Sequence, residues 1–317
     1  MSADTSAGRQ ASGVIHDLGY RRYDGPRLGR QRIVAALAWH SFRSAFGFGR
    51  GAKAKVVPAI ALLAMCLPAV INAFAMSKGN ARVVDYDTYT PVLRNLIMTV
   101  FVAVQAPELV SRDLRSRVLP LYFSRPIRTG DYPLAKYLGF TAACLVMLEV
   151  PLLLLYGGSI ANVHGGAAVW AETKALIPGL LVGLMWALVL AAIGLVLASL
   201  TGRRAFATGT VAIFLLLTYT LAEILLQVET QAAINKGPGP GGFGAPPPVS
   251  LAEKVAGLFS PFTLFDGVRM WLGGDSHQVD NVSAPGSLGA VYALVLLILF
   301  GLCLYGLAAR YRKARLS

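Results

Sequence analysis

Six stretches of this 317-residue sequence are long and apolar enough to cross a lipid bilayer as helices. A helix rises about 1.5 Å per residue, so a hydrocarbon core of about 30 Å requires about 20 apolar residues. The stretches cover residues 56–76, 91–110, 137–156, 175–199, 205–227 and 288–309. The composition agrees, since 55% of all residues are hydrophobic and 14% are charged. We therefore expect an all-α polytopic membrane protein with six transmembrane helices in a transmembrane domain of residues 56–309.

The distribution of basic residues predicts how these helices are oriented. Six spans place 22 of the 29 Lys and Arg on one side of the membrane and seven on the other. Positive residues accumulate on the cytoplasmic side of membrane proteins. Both termini and the loop 111–136 are therefore predicted to be cytoplasmic, and the long loop 228–287 to be extracytoplasmic. This topology accounts for the net charge of +13 without a nucleic-acid partner.

The two ends of the chain are predicted to be a cytoplasmic arm, residues 1–55, and a basic cytoplasmic tail, residues 310–317. The arm has no apolar core of the kind found in a signal peptide. From Pro26 to Phe48, apolar residues recur at near-helical spacing with arginines between them. They are Leu28, Ile33, Val34, Leu37, Phe42 and Phe46. This pattern predicts an amphipathic helix in the cytoplasmic interface, with its apolar side in the acyl region and its arginines at the headgroups. A loosely ordered basic arm is the alternative.

The predicted outer loop has two parts of different character. Its start, NKGPGPGGFGAPPPVS, is typical of a flexible linker, because no Gly-Lys-Ser/Thr ending follows its glycines. The next part, LAEKVAGLFSPFTLFDGVRMWLGG, is too apolar for a free loop and too interrupted by Ser260-Pro261 for a span. It predicts short interfacial helices packed on the outer rim.

Two acidic residues inside the predicted spans are candidates for lining a translocation path. Glu149 lies within the third span and is followed by Pro151, and Glu223 lies near the outer end of the fifth. A charged side chain at mid-membrane costs about 3 kcal/mol even on permissive scales, so it usually faces a bundle interior or a wet cavity. The alternatives are a protonated acid, a bond to a neighbouring helix and, for Glu223, a position near the headgroups.

The sequence carries no catalytic motif that we can identify. It lacks a Walker lysine and the H-E-x-x-H, C-x-x-C and G-x-S-x-G patterns, and its four histidines are scattered. Cys66, Cys144 and Cys303 all fall within spans, where a thiol behaves as a small apolar side chain. We therefore predict no catalytic residue, metal site or cofactor in this chain.

The most charged stretch follows the second span and reads LVSRDLRSRVLPLYFSRPIRTGDYPLAKYLGF, residues 109–140. A set of apolar residues shares one helical face there, whereas Arg112, Arg115 and Ser116 lie elsewhere. The apolar set is Leu114, Val118, Leu121 and Tyr122. A short helix with an apolar and a cationic side suits docking into a groove on a soluble partner. The alternative is a loop that is basic only because it lies inside the cell.

This order of features resembles the permease subunits of ABC-2 type exporters. In that family, the second span leads through an acidic residue into a short cytoplasmic coupling helix, followed by a proline and by a lysine that opens the third span. Asp113, Pro126 and Lys136 occupy those places here. The resemblance covers nearly the whole chain in architecture, and its specific motifs are confined to about thirty residues around this loop.

The resemblance implies a type V exporter fold in the bacterial cytoplasmic membrane and a function in export of an amphipathic or lipid-like substrate. A separate cytoplasmic ABC ATPase would bind ATP and Mg, and a second permease, identical or related, would complete the path. Together with the helical pattern of the loop, the resemblance predicts these ATPase-coupling residues: Asp113, Leu114, Arg115, Val118, Leu121, Tyr122, Arg125 and Pro126. A polytopic membrane enzyme acting on lipid and a secondary transporter are the alternatives, although the enzyme would require a polar cluster at one membrane face.

Overall fold

The computed structural model describes residue 25 and residues 29–79, 82–86, 89, 91–115, 128–235, 251–272 and 288–316. Those residues form helices joined by turns and contain no strand. In chain order the helices are α1 (Arg30–Ala45), α2 (Lys53–Ser77), α3 (Pro91–Arg115), α4 (Asp131–Asn162), α5 (Gly166–Leu200), α6 (Arg204–Asn235), α7 (Leu251–Ala256), α8 (Pro261–Trp271) and α9 (Gly289–Leu316).

Six of these helices, α2 to α6 and α9, are long and apolar enough to cross a membrane. This confirms the expectation of an all-helical chain with six such segments. The third and fourth segments are longer than predicted, because α4 already begins at Asp131 and α5 at Gly166. Large apolar side chains of α2, α6 and α9 point away from the protein, which suits contact with lipid. They include Ile60, Leu63, Phe74, Ile213, Leu217, Leu297 and Leu302.

Helix α3 occupies the centre of the bundle and contacts α1, α2, α4, α5 and α6. Within its most apolar window 72% of the residues are buried inside the protein, compared with 22% in α6 and in α9. The central position of α3 explains the low hydropathy of this helix, because protein neighbours rather than lipid surround its polar side chains. Close packing to α5 depends on Gly194, where a Cβ atom would lie 2.5 Å from Val102 Cγ1.

Helix α1 packs along α4 and touches α3. Ser41 and Ala45 are fully buried, and Leu37, Phe42 and Phe46 pack against the core. The protein itself therefore partly covers Leu37, Phe42 and Phe46, and the position of this apolar side in the acyl region stays a prediction. Leu28 lies outside the described residues.

Helix α8 is one of the predicted short helices, but it is more deeply buried than predicted. All residues from Pro261 to Met270 are buried against α5, α6 and α9 rather than resting on an outer rim. Ser260 caps this helix by accepting a hydrogen bond from Phe262 N at 3.2 Å, and Pro261 occupies the first helical position. The Ser-Pro pair that interrupts the apolar stretch is thus the start of a buried helix. Residues 236–250, the predicted linker, lie outside the described residues.

Candidate functional site

The centre of the predicted coupling loop, residues 116–127, lies outside the described residues. This range holds Val118, Leu121, Tyr122, Arg125 and Pro126, and the side chain of Leu114 is likewise not described. Their predicted role therefore stays a prediction. What the structure describes is the base of the loop, where α3 ends and α4 begins.

At this base, Asp113 of α3 binds two side chains of α4. Its Oδ2 accepts a hydrogen bond from the Tyr132 hydroxyl and lies 2.8 Å from Lys136 Nζ. The Lys136 side chain is only 6% exposed, and its ammonium also lies 5.4 Å from the centroid of the Tyr132 ring. Asp113 and Lys136, both singled out in the sequence, therefore form an ion pair that joins the two ends of the loop.

A second ion pair attaches α1 to the same place. Arg30 donates from Nε and Nη2 to the two carboxylate oxygens of Asp131, at 2.6 and 2.5 Å. The Arg128 backbone N–H also donates to Asp131 at 2.8 Å. Asp131 is the first residue of α4, where a negative charge is favoured by the helix dipole. The hydrogen bond to Asp131 raises the pKa of the Arg30 guanidinium, which remains charged.

Close backbone packing fixes α1 beside this cluster. A Cβ atom at Gly139 of α4 would overlap the backbone of Ala38 and lie 2.7 Å from the Ser41 Cβ. Only glycine leaves room for α1 to approach so closely. The end of α9 joins from another side, where the buried Tyr311 ring lies 5.2 Å from that of Tyr132.

Glu149, predicted to line a path, faces α5. Its Oε1 occupies the space that a Cβ atom at Gly183 would require. Its Oε2 is buried and has no hydrogen-bond partner among the described residues. A carboxylate oxygen that lies between α4 and α5 and has no partner can accept a hydrogen bond from an incoming donor group.

Glu223 belongs to a polar cluster at the other end of the bundle from Asp113. Tyr219, one turn before Glu223 on α6, interacts with both Glu223 and Asn95. The Tyr219 ring also meets Phe262 of α8 edge-on, with centroids 5.7 Å apart. Glu149 and Glu223 therefore have different helical neighbours.

Sequence reasoning missed a buried ion pair in this second region. Arg94 of α3 lies 3.3 Å from Asp266 of α8, and both side chains are at most 6% exposed. The Arg94 guanidinium also stacks 4.0 Å from the centroid of the Trp186 ring on α5. The sequence did contain a signal for this pair. Arg94 begins an apolar span and Asp266 lies inside another apolar stretch, and charges buried in such places are usually paired.

The turn between α2 and α3 is bound to α5 at the same end. Arg82 lies 2.6 Å from Glu172, and the Tyr86 hydroxyl donates to Glu172 at 2.7 Å. Burial raises the pKa of Tyr86 to about 12, so its hydroxyl stays protonated and continues to donate.

No protein-family model matches this sequence, and comparison with curated proteins finds no significant match.

Proposed function

We propose that this chain is the membrane-spanning permease subunit of an ATP-driven exporter of the ABC-2 type, moved by a separate cytoplasmic ATPase. The observation that supports this most strongly is the contact of Asp113 with Lys136 and Tyr132 across the base of the 116–127 loop. These contacts bring together two residues that the family motif separates by 23 positions.

The base of the loop is suited to transmitting force. Removing one partner of a buried ion pair costs about 3–5 kcal/mol, so the Asp113–Lys136 link resists separation of α3 from α4. A push on the loop would then shift both helices together instead of deforming their connection. Because α3 contacts five other helices, its displacement reaches most of the bundle.

Helix α1 would move with the same unit. The Arg30–Asp131 pair and the close contact at Gly139 attach α1 to the start of α4. The side of α1 that faces away from α4 exposes Trp39 and Arg43. Such a face suits the headgroup region of the cytoplasmic leaflet, where aromatic rings and arginines are favoured.

The proposed path runs beside Glu149, between α4 and α5. Its partnerless Oε2 could bind a donor group of the substrate, while the apolar side chains of the spans suit aliphatic or aromatic parts. This combination favours an amphipathic or lipid-like substrate. A second permease, identical or related, would cover one of the exposed apolar faces of α2, α6 or α9 and complete the path.

The direct test is to purify the tagged chain from its native membrane in a mild detergent and to assay bound proteins and Mg-ATP hydrolysis. We expect a cytoplasmic ABC ATPase to co-purify and the complex to hydrolyse ATP in a vanadate-sensitive manner. An unrelated six-span protein purified in the same way is the control. An intact chain that transports without ATP, or that converts a lipid, would contradict the proposal.

A further inference from the structure

A basic cleft of about 720 Å³ lies at the junction of three segments of the chain. It is bounded by the α1–α2 turn, the second half of α3 and the start of α6. Among the described residues that line it, three side chains are basic and one is acidic: Arg50, Lys53, Arg204 and Glu108. The lining therefore carries excess positive charge.

Glu108 holds two basic side chains of the cleft in place but does not cancel the positive charge of its lining. Its carboxylate is 7% exposed and pairs with Arg50 Nη1 at 2.5 Å and with Arg204. Arg50 also donates from Nη2 to Gln105 Oε1 at 3.2 Å and to the Ser44 carbonyl at 2.8 Å. Arg50 Nε is buried and has no hydrogen-bond partner among the described residues. One carboxylate thus holds two guanidinium groups that retain capacity for a further anion.

Two helices add positive potential to the same cleft. Helix α2 begins at Lys53 and α6 at Arg204, and both of these residues line the cleft. Neither helix has an acidic residue in its first turn, so the partial positive charge of each N-terminus is not compensated locally. Anions bind readily at such positions. On the side toward the spans, Val57 and Val104 provide an apolar wall.

We propose that this cleft binds a phosphate-bearing anion, presented by an anionic phospholipid of the cytoplasmic leaflet. Arg50, Lys53 and Arg204 hold the phosphate, and the acyl chains run along the valine wall. Basic pockets between helices on the cytoplasmic side are typical of sites for anionic headgroups. The bound lipid would stabilise the contact between the α1–α2 turn, α3 and α6. The proposal depends on this end of the bundle facing the cytoplasm, and it does not depend on export or on an ATPase.

The test uses delipidated full-length protein in detergent and measures retention of phosphatidylglycerol against phosphatidylcholine by native mass spectrometry. The lining variant is Lys53→Gln/Arg204→Gln. The matched control is Lys55→Gln/Arg203→Gln, which removes the same charges from exposed neighbours that do not line the cleft. Each basic residue near an anionic lipid surface contributes about 1 kcal/mol, so the lining variant should bind phosphatidylglycerol about 30-fold more weakly than the control.

A parallel measurement of thermal stability with inorganic phosphate identifies the source of the anion. Selective retention of phosphatidylglycerol that only the lining variant loses supports a lipid headgroup. Stabilisation by millimolar phosphate without lipid preference, again lost only in the lining variant, supports the same site with a soluble anion. If the lining and control variants behave alike in both measurements, the proposal is overturned.

Discussion

Asp113 and Lys136 show how a charge is kept inside this helical bundle. The lysine is nearly inaccessible, and its ammonium is surrounded by the Asp113 carboxylate and the Tyr132 ring. A buried cation without such a partner would lose several kcal/mol of solvation. The same principle applies to Arg94 with Asp266, whereas Glu149 retains an oxygen without a partner. Glu149 is therefore the acidic residue among these whose proposed role can be tested apart from an ion pair.

Asp113→Asn should destabilise the purified protein by about 3 kcal/mol, because it leaves the Lys136 charge buried without a counterion. The double variant Asp113→Asn/Lys136→Met should recover much of this loss, since neither charge then remains. Thermal unfolding in detergent measures both effects. Arg115→Gln, two residues away and exposed, serves as the control and should change stability by less than about 0.5 kcal/mol. If Asp113→Asn/Lys136→Met is no more stable than Asp113→Asn, the pairing is contradicted.

At Glu149, size and charge can be separated. Glu149→Gln keeps the size and much of the hydrogen-bonding capacity while removing ionisation, whereas Glu149→Leu removes both ionisation and hydrogen bonding. If the free oxygen binds substrate, Glu149→Leu should weaken substrate-stimulated ATP hydrolysis of the complex at least tenfold, since hydrogen bonds to charged groups contribute about 1.5–3 kcal/mol. Glu149→Gln should have a smaller effect, and Leu154→Ala, on the exposed side of α4, should have none. Normal transport and stability in Glu149→Leu would exclude the proposed role.

At the scale of elements, α8 and α1 show what a single sequence can and cannot predict. The apolar stretch after Ser260 correctly indicates a helix that avoids water. Its burial, however, depends on Trp186 and Arg94, and Arg94 lies 172 positions before Asp266. The α1 periodicity indicates the correct apolar face. It does not predict whether protein or lipid covers that face, because both environments are apolar.

The docking of α8 can be tested through its buried ion pair. Arg94→Leu should leave Asp266 buried without its counterion and displace α8, exposing a cysteine introduced at Leu264, a position that is 2% exposed. Adding Asp266→Leu should restore much of the packing and lower the reactivity toward a thiol reagent again. Leu272→Ala is a control at an exposed position near the end of α8. Unchanged reactivity of the Leu264 cysteine in Arg94→Leu would show that the pair does not hold α8.

For the whole molecule, hydropathy and length predict the number and approximate bounds of the six long helices, since each must satisfy its own backbone hydrogen bonds. They do not predict that α3 lies at the centre. Its polar residues Arg94, Asn95 and Gln105 make it the least apolar span, and their burial by neighbouring helices is a tertiary property. Asp113 and Lys136 were each singled out in the sequence as separate positions. The pairing itself was not predicted, because spacing along the chain does not specify which side chains meet.

The orientation of the molecule is tested with single cysteines in a background where the three native cysteines are replaced by alanine. Gly242→Cys should react with an impermeant thiol reagent on intact cells, and Ser2→Cys should react only after permeabilisation. This follows from the 22-to-seven distribution of basic residues. Labelling of Ser2→Cys from outside would reverse the predicted topology and, with it, the cytoplasmic position of the 116–127 loop.

The central claim is that this loop transmits the action of an ATPase to α3 and α4. The most direct measurement is substrate-stimulated ATP hydrolysis by the reconstituted complex, comparing Leu121→Asp with Ser116→Ala. A charge placed in an apolar contact without a partner costs several kcal/mol, so Leu121→Asp should lower ATPase assembly or stimulation by at least about 30-fold. Ser116→Ala and the basal activity of the isolated ATPase should be unchanged. A well-folded Leu121→Asp variant with normal assembly, stimulation and export would contradict the account and leave the loop as a basic topology signal.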